Sequence, residues 1–279
     1  MDFRPLRVIS IGLKSQGHQH LVKLEDRRQA IIEVLVEEGS ASLDALSLRF
    51  GVSKMTIHRD LDDLEAAGLL RKVRGGATIE ASSQFESDFR YRERCAVEEK
   101  RRIAKAAAAF VEPGMSVMID DGSTSQLLAP HLAGCRPLTV ITNNLAIIKA
   151  LADAGGTTLI AIGGTYSKKF NGFFGIVSED NLKGLRADMA FVSSSAIDRL
   201  SAFHQDQEVV QVKRQMIRSA ARRYLLADHE KFGRTALHFL AGLDAFDGVV
   251  TGARPAPDTE RELREGGIKL HIAHEDTEA

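Results

Sequence analysis

The chain has 279 residues and a mass of 30.5 kDa, enough for one large domain or two of ordinary size. With 44% hydrophobic and 27% charged residues, disorder is excluded as its overall state. The 37 Lys and Arg against 38 Asp and Glu leave a net charge of -1, so any affinity for nucleic acid has to come from a local basic patch.

Two cysteines, Cys95 and Cys135, are too few for a zinc ribbon or a disulfide framework and read as structural thiols. No apolar run approaches the ~18–20 residues that span a bilayer, so no membrane partner is expected. The opening residues, 1–25, read as an N-terminal extension: their apolar stretch is short and no small-residue cleavage site follows. His18 and His20 in GHQH lack a carboxylate or Cys partner and read as a polar tail. A cytoplasmic protein without metal or cofactor is the expectation.

From Asp26 a helical face of Ala30, Ile31, Val34 and Leu35 begins, and Gly39 stops it. Ser42 reads as the cap of a second, short helix that buries Leu43, Leu46 and Phe50. Gly51 turns the chain and Ser53 caps a third helix, whose Ile57, Leu61 and Leu64 recur at i, i+4 and i+7 and whose end is marked by Gly68. LLRKVRGGATI then predicts two short strands around Gly75 and Gly76. Residues 81–99 are polar and charged and suit an exposed helix or linker. Beyond Lys100, apolar runs MSVMID, LTVIT, TTLIAIGG, DMAFVSS, RRYLLAD and FDGVVTG alternate with helical stretches, which predicts a mostly parallel sheet covered on both faces. The fold class expected is a small winged helix-turn-helix domain over 26–80, a linker over 81–99 and an α/β domain over 100–279.

The spacing of SLDALSLRFGVSKMTIHRDLDDLEAAGLL is that of a helix-turn-helix. Burying Ile57, Leu61 and Leu64 leaves Lys54, Met55, His58 and Arg59 on the opposite, early part of the third helix. Arg59 and Lys54 can donate to guanine or phosphate, His58 can donate or accept, and Met55 can touch a thymine methyl. Ser53 and Thr56 at the helix start suit phosphate contacts. Arg71, Lys72 and Arg74 add a basic cluster on the hairpin. Asp60, Asp62, Asp63 and Glu65 read as a solvated face turned away from DNA.

VSKMTIHRDLDDLEAAGLLRKVRGGA resembles the signature of the DeoR family of bacterial transcription regulators. Position 58 is His where that family usually has Arg, which changes the contact offered and adds a titratable group.

In the C-terminal part, a strand runs into IDDGST and a further helix, which places backbone N–H groups and two hydroxyls at a helix start, a ready anion site. Gly122 permits close approach, and Ser123 and Thr124 add donors. ITNN and IGG also end predicted strands, Asp198 follows another, and Lys231 follows a fifth. EK-x-x-IA, ID-x-GST, ITNN, the glycine pair, D-x-AF, ID and D-x-x-KFG occur in the order seen in the effector domain of DeoR-type regulators, itself similar to ribose-5-phosphate isomerase. The resemblance implies that Asp120, Gly122, Ser123, Thr124, Thr142, Asn143, Gly163, Gly164, Asp198 and Lys231 line a sugar-phosphate pocket. Ser193, Ser194 and Ser195 stand where the family commonly has glycine, His229 and Glu230 replace a frequent Ser, and Asn171 and Gly172 lie where Ser or Thr is often found.

A DNA-reading and a phosphate-cradling motif on one chain imply a regulator, a repressor by expectation, of a carbohydrate operon. Its partners would be operator DNA, a phosphorylated sugar and further copies of itself, as a dimer or tetramer. Two other readings stay open: a sugar-phosphate isomerase fused to a DNA-binding module, for which Asp198 and Asp120 are the candidate bases, and an architectural DNA-binding protein whose C-terminal domain only oligomerises.

Overall fold

The computed structural model describes residues 24–66, 69–79 and 89–273. Residues 1–23 of the extension read over 1–25, with its GHQH, and the helix stop at Gly68 lie outside the described residues; residues 24 and 25 already belong to the first helix.

Helix α1 (Leu24–Glu38) is followed by β1 (Ser40–Ser42), α2 (Leu43–Phe50), α3 (Lys54–Ala66), β2 (Arg71–Val73) and β3 (Gly76–Thr78). Ser42 caps α2 by accepting from Ala45 N–H, and Gly51 ends it in the left-handed conformation at φ 63°. Ile31, Leu35, Leu46, Ile57, Leu61, Leu64, Leu70 and Ala77 close one core. Two details depart from the expected hairpin. The turn is Arg74-Gly75, with Gly76 already in β3, and β3 is flanked by both β2 and β1, a strand the sequence pattern does not betray because it is three residues long. Here Gly76 is needed for closeness: a Cβ on it would overlap the Ala41 carbonyl oxygen across the β1–β3 pair.

Residues 89–99 are more buried than a linker reading implies. They form α4 (Phe89–Arg94) and the first turn of α5 (Val97–Ala108), and Phe89, Arg92 and Glu99 are buried. The sheet strands are β4 (Ser116–Ile119), β5 (Leu138–Thr142), β6 (Thr157–Ala161), then, after a hairpin β7 (Thr165–Ser167)–β8 (Gly172–Phe174) and α7 (Ile176–Lys183), β9 (Ala187–Ser193). α6 (Leu145–Leu151) joins β5 to β6. A small antiparallel sheet is started by β10 (Ala196–Asp198) and β11 (Ser201–His204). α8 (Gln207–Ser219) runs directly into β12 (Ala220–Leu226), and β13 (His238–Gly242), β14 (Gly248–Thr251), α9 (Pro257–Glu265) and β15 (Leu270–Ile272) complete the chain.

All seven strands of the main sheet are parallel, in the order β15-β14-β12-β9-β4-β5-β6. Period-2 alternation sends Val117 and Ile119 to one face with Val140, Phe191 and the apolar sides of α5 and α6, and Met118 to the other with Val192, Leu225 and the stripe Val209, Val212 and Met216 of α8. The stretch after β4, expected as a helix, is a 3-10 segment (Ser125–Gly134) holding Pro130, which denies it a backbone donor. From β4 the chain builds outward to β5 and β6. It then returns to the other side of β4 and builds to β15, so the connections diverge between β4 and β9. In open parallel sheets that crevice is where ligands bind.

Replacing Gly76 with Ala is expected to cost about 1–3 kcal/mol by overpacking and to raise amide exchange in both β1 and β3. At Gly75, which has φ 82° but open space around it, Ala should strain the turn and leave the β1 amides protected. Hydrogen exchange on the full chain separates the two.

Candidate functional site: a recognition helix and a basic cleft

α3 opens at Ser53, whose Oγ accepts from Thr56 N–H at 3.1 Å and lies 2.9 Å from Thr56 Oγ1. With Ile57, Leu61 and Leu64 inside, Lys54 (side chain 66% exposed), Met55, His58 and Arg59 face solvent together. Arg71 and Arg74 are exposed on the hairpin and Lys72 is half-buried. Several of these heads are held by acids. Lys54 pairs with Asp44 and Lys72 with Asp62, whose other oxygen lies 3.1 Å from His58 Nδ1. The bonds from Lys72 and then His58 hold the Asp62 carboxyl below its ordinary range. Arg59 makes no ion pair among the described residues. Asp60 corrects the reading of a solvated acidic face: it is buried, and accepts from Arg27 Nε at 2.6 Å and Arg28 Nε at 3.3 Å, pinning α3 to α1.

The second site sits at the β4/β9 divergence. Asp120, at the end of β4, is fully buried. Its Oδ1 accepts from Gly122 N–H at 3.0 Å, and its Oδ2 accepts from Ser193 N–H at 2.6 Å, Ser193 Oγ at 3.0 Å and the ammonium of Lys213. Lys213, on α8, is also fully buried and lies 2.8 Å from Asp121 Oδ1. Burial works to deprotonate this lysine, but Asp120 and then Asp121 outweigh it and raise its pKa. Gly122 is pressed against this cluster: a Cβ there would collide with the Ser193 side chain.

On this floor, Ser123 and Thr124 line a cleft with Ser193 and Ser194 from the end of β9, Leu226, Ala227 and Asp228 from β12 onward, Lys231, and Arg92 and Lys100 from the helices before the sheet. Ser194 Oγ is buried without a hydrogen-bond partner among the described residues. Lys100 is buried and donates to the Arg92 carbonyl oxygen. Burial, partly opposed by Asp228 and reinforced by Lys231 and Arg92, lowers its pKa to about 8. Glu99 fastens the turn His229–Lys231: it accepts from His229 N–H at 2.8 Å, and its other oxygen is 2.6 Å from His229 Nδ1, a bond that raises the histidine pKa. The free volume of the cleft is about 10 Å³, the room one water takes.

Of the residues expected around this site, Ser123, Thr124 and Lys231 share the cleft, with Gly122 and Asp120 beneath. Thr142 and Asn143 are buried beside it in bracing roles: Thr142 Oγ1 donates to the Ile119 carbonyl at 2.6 Å and Asn143 Nδ2 to that of Phe173 at 3.0 Å. Gly163 accepts from Ser178 Oγ at 2.6 Å, and Gly164, at φ 141°, is hemmed in by Ser178 and Phe174. Asp198 is exposed on β10 and is not among the residues lining the cleft.

A DeoR-like helix-turn-helix domain model matches residues 27–83, and a DeoR C terminal sensor domain model matches residues 96–253. The chain belongs to the DeoR family. Among its relatives, the glycerol-3-phosphate regulon repressor of Escherichia coli (strain K12) is 30% identical over 90% of this chain and 100% of its own length. The L-fucose operon activator of Haemophilus influenzae is 33% identical over 83% of this chain and 93% of its own. A D-ribose-5-phosphate isomerase structure, in complex with phospho-erythronic acid, superposes with a TM-score of 0.37 at 15% identity, over 49% of this chain and 54% of the isomerase, a likeness too slight to argue from.

Within this DeoR-family sensor, sequence reasoning missed Arg92, Lys100, Ser193, Ser194, Asp228 and Lys213. Lys100 stands in the EK-x-x-IA motif and could have been raised from it. Arg92 and Lys213 had no signal, being one cation among many on charged helical stretches. The floor makes a test of its own. Lys213→Met leaves Asp120 and Asp121 buried without their cation and is expected to cost about 3–5 kcal/mol, measured by urea denaturation of the full chain.

Proposed function

We propose that this protein is a DNA-binding repressor of a carbohydrate operon, released or retuned by a phosphorylated sugar whose phosphate enters the cleft between β4 and β9. The observation that carries the effector half is the convergence of Arg92, Lys100 and Lys231 with the Ser123, Thr124 and Ser194 hydroxyls in one crevice. A phosphate there meets three cations and neutral donors, the donor set that charge-assisted binding requires, against the single carboxylate of Asp228. The relatives' names, a glycerol-3-phosphate regulon and an L-fucose operon, lie in the same chemistry. Ser53, Lys54, Met55, Thr56, His58 and Arg59 would enter the major groove, with Arg71, Lys72 and Arg74 along the backbone. Two or four copies would present paired recognition helices to a repeated or palindromic operator, in the cytoplasm. Among the described residues no helix is long and apolar enough to cross a membrane.

Catalysis is not part of this reading. An isomerase needs a free base beside the substrate carbon. Asp120 is fully engaged by Lys213, Ser193 and Gly122, and Asp198 is exposed away from the cleft. Asp228 lies within the cleft, where its charge partly offsets the burial that drives the proton from Lys100.

Four outcomes are expected. Arg59→Ala should weaken operator binding by about 1–3 kcal/mol and relax base preference, while Arg74→Ala should weaken binding evenly across sequences and reduce the salt slope by about one; titrations at several salt concentrations read both. Sugar-phosphate affinity should hold between about pH 6, where a phosphate monoester becomes a dianion, and about pH 8. Above that it should fall as Lys100 loses its proton, because the charged form of the lysine is the one that binds. In Lys100→Met the affinity should be lower throughout and the bend near pH 8 gone. A panel of sugar phosphates of which none alters the operator complex would overturn the effector assignment.

A further inference from the structure

Three consecutive residues of α4 reach three different parts of the molecule. Arg92 is buried and lines the basic cleft. The Glu93 carboxylate accepts from Gln126 Nε2 at 2.9 Å, in the 3-10 segment that immediately follows Ser123 and Thr124. The Arg94 guanidinium donates to the Val36 carbonyl oxygen at 3.2 Å and lies against Gly39, at the end of α1. The β7–β8 hairpin touches both helices: Lys168 pairs with Glu33 of α1 at 3.2 Å, and the Lys169 carbonyl accepts from Phe89 N–H, at the start of α4, at 2.7 Å. α1 in turn is pinned to the recognition helix by the Asp60 bonds to Arg27 and Arg28.

On the reading of the cleft as an anion site, we propose that Arg92 is a ligand-binding residue and that Arg94 is the residue through which occupancy of the cleft reaches the DNA-binding helices. Two ties make α4 responsive to an anion. The Arg92 side chain stands in the cleft wall, so charge pairing there draws on the helix that carries it. The Lys100 ammonium, which otherwise donates to the Arg92 carbonyl, is a second buried cation of the cleft, and its reorientation toward a phosphate frees that carbonyl. Either movement displaces a helix of six residues whose far end holds the last turn of α1. The last turn of a helix has carbonyls without intrahelical partners, so a guanidinium bonded there sets where the helix ends and how firmly. From α1, displacement passes to α3 through Asp60. Ligand energy is thereby coupled to the presentation of Lys54 and Arg59 through contiguous contacts.

The test is hydrogen exchange on the full-length protein with inorganic phosphate as the probe, comparing wild type with Arg94→Ala, Arg94→Lys and Arg92→Ala. In wild type, phosphate should protect amides at 122–126 and 89–94 and change exchange in the last turn of α1, residues 35–38. In Arg94→Ala the first two responses should remain and the third should vanish. Arg94 is exposed, so this variant should fold, and Arg94→Lys should restore part of the response. Arg92→Ala should weaken phosphate binding at least tenfold. If 35–38 respond equally in Arg94→Ala, or Arg92→Ala binds phosphate as wild type does, this inference is overturned while the cleft reading stands. If phosphate protects 122–126 in no variant, the anion site itself is wrong and the inference goes with it.

Discussion

The C-terminal half of this protein depends on one buried ion cluster. Lys213 on α8 meets Asp120 and Asp121 at the end of β4, and Asp120 also takes both donors of Ser193 at the end of β9. Taking a lysine and two carboxylates out of water costs several kcal/mol per ion, returned only when geometry is good and the remaining lone pairs are satisfied. Two apolar residues would bridge α8 to the sheet at lower cost. What they could not do is hold the ends of β4 and β9 at a fixed separation, and it is between these strands that the chain reverses direction and the crevice opens. The ammonium also acts at a distance: burial first, and then the charges of Lys213 and Arg92, depress the pKa of His204 well below its ordinary value, so that ring stays neutral against Phe170.

From this floor the cleft follows. Gly122 must be glycine because Ser193 occupies the space of a side chain, and that closeness brings the Ser123 and Thr124 hydroxyls over the crevice. The cations arrive from elsewhere in the chain. Lys231 is held by the clasp of Glu99 on His229, and Glu99 is followed directly by Lys100. One dipeptide at the start of α5 thus fixes one cation and supplies another. His229 has a structural consequence here, since its ring gives Glu99 a second bond.

Much of this was legible in the residues. The apolar run at 138–142 matches β5 and the run at 157–164 holds β6, and the glycine turn, the Ser42 and Ser53 caps and the buried face of α3 follow from spacing alone, because period and capping are local properties. Features set by tertiary contact were not. The strand β1 exists only because β3 lies beside it. Asp60 sits in an acidic run, and nothing in that run tells it from Asp62 or Asp63; only the approach of α1 buries it. Residues 81–99 look like a solvated linker because their charge is high, yet Arg92 and Glu99 are buried where other elements supply partners. The ITNN and glycine-pair motifs were visible as strand ends. The Thr142 and Asn143 side chains, however, brace backbone carbonyls, and Gly163 accepts from Ser178, roles that a motif match cannot distinguish from ligand contact.

A chain of net charge -1 that reads DNA must arrange its charges locally, and α3 shows how. Its acids are spent in pairs: Asp60 inward on two arginines, Asp62 on His58 and Lys72, and Asp63 on Arg28. Exposed pairs of this kind are worth about 0–1 kcal/mol, so Lys54, His58 and Lys72 can trade a carboxylate for a phosphate oxygen at little cost. The trade also yields little, since one partner replaces another. Non-specific affinity, which scales with the phosphates neutralised, is thereby held down, and the weight shifts to Arg59, exposed and with no ion pair among the described residues. A face built this way favours base discrimination over backbone grip. Its affinity therefore depends on how accurately α3 is presented, which is the property a change at the α1 contact would alter first.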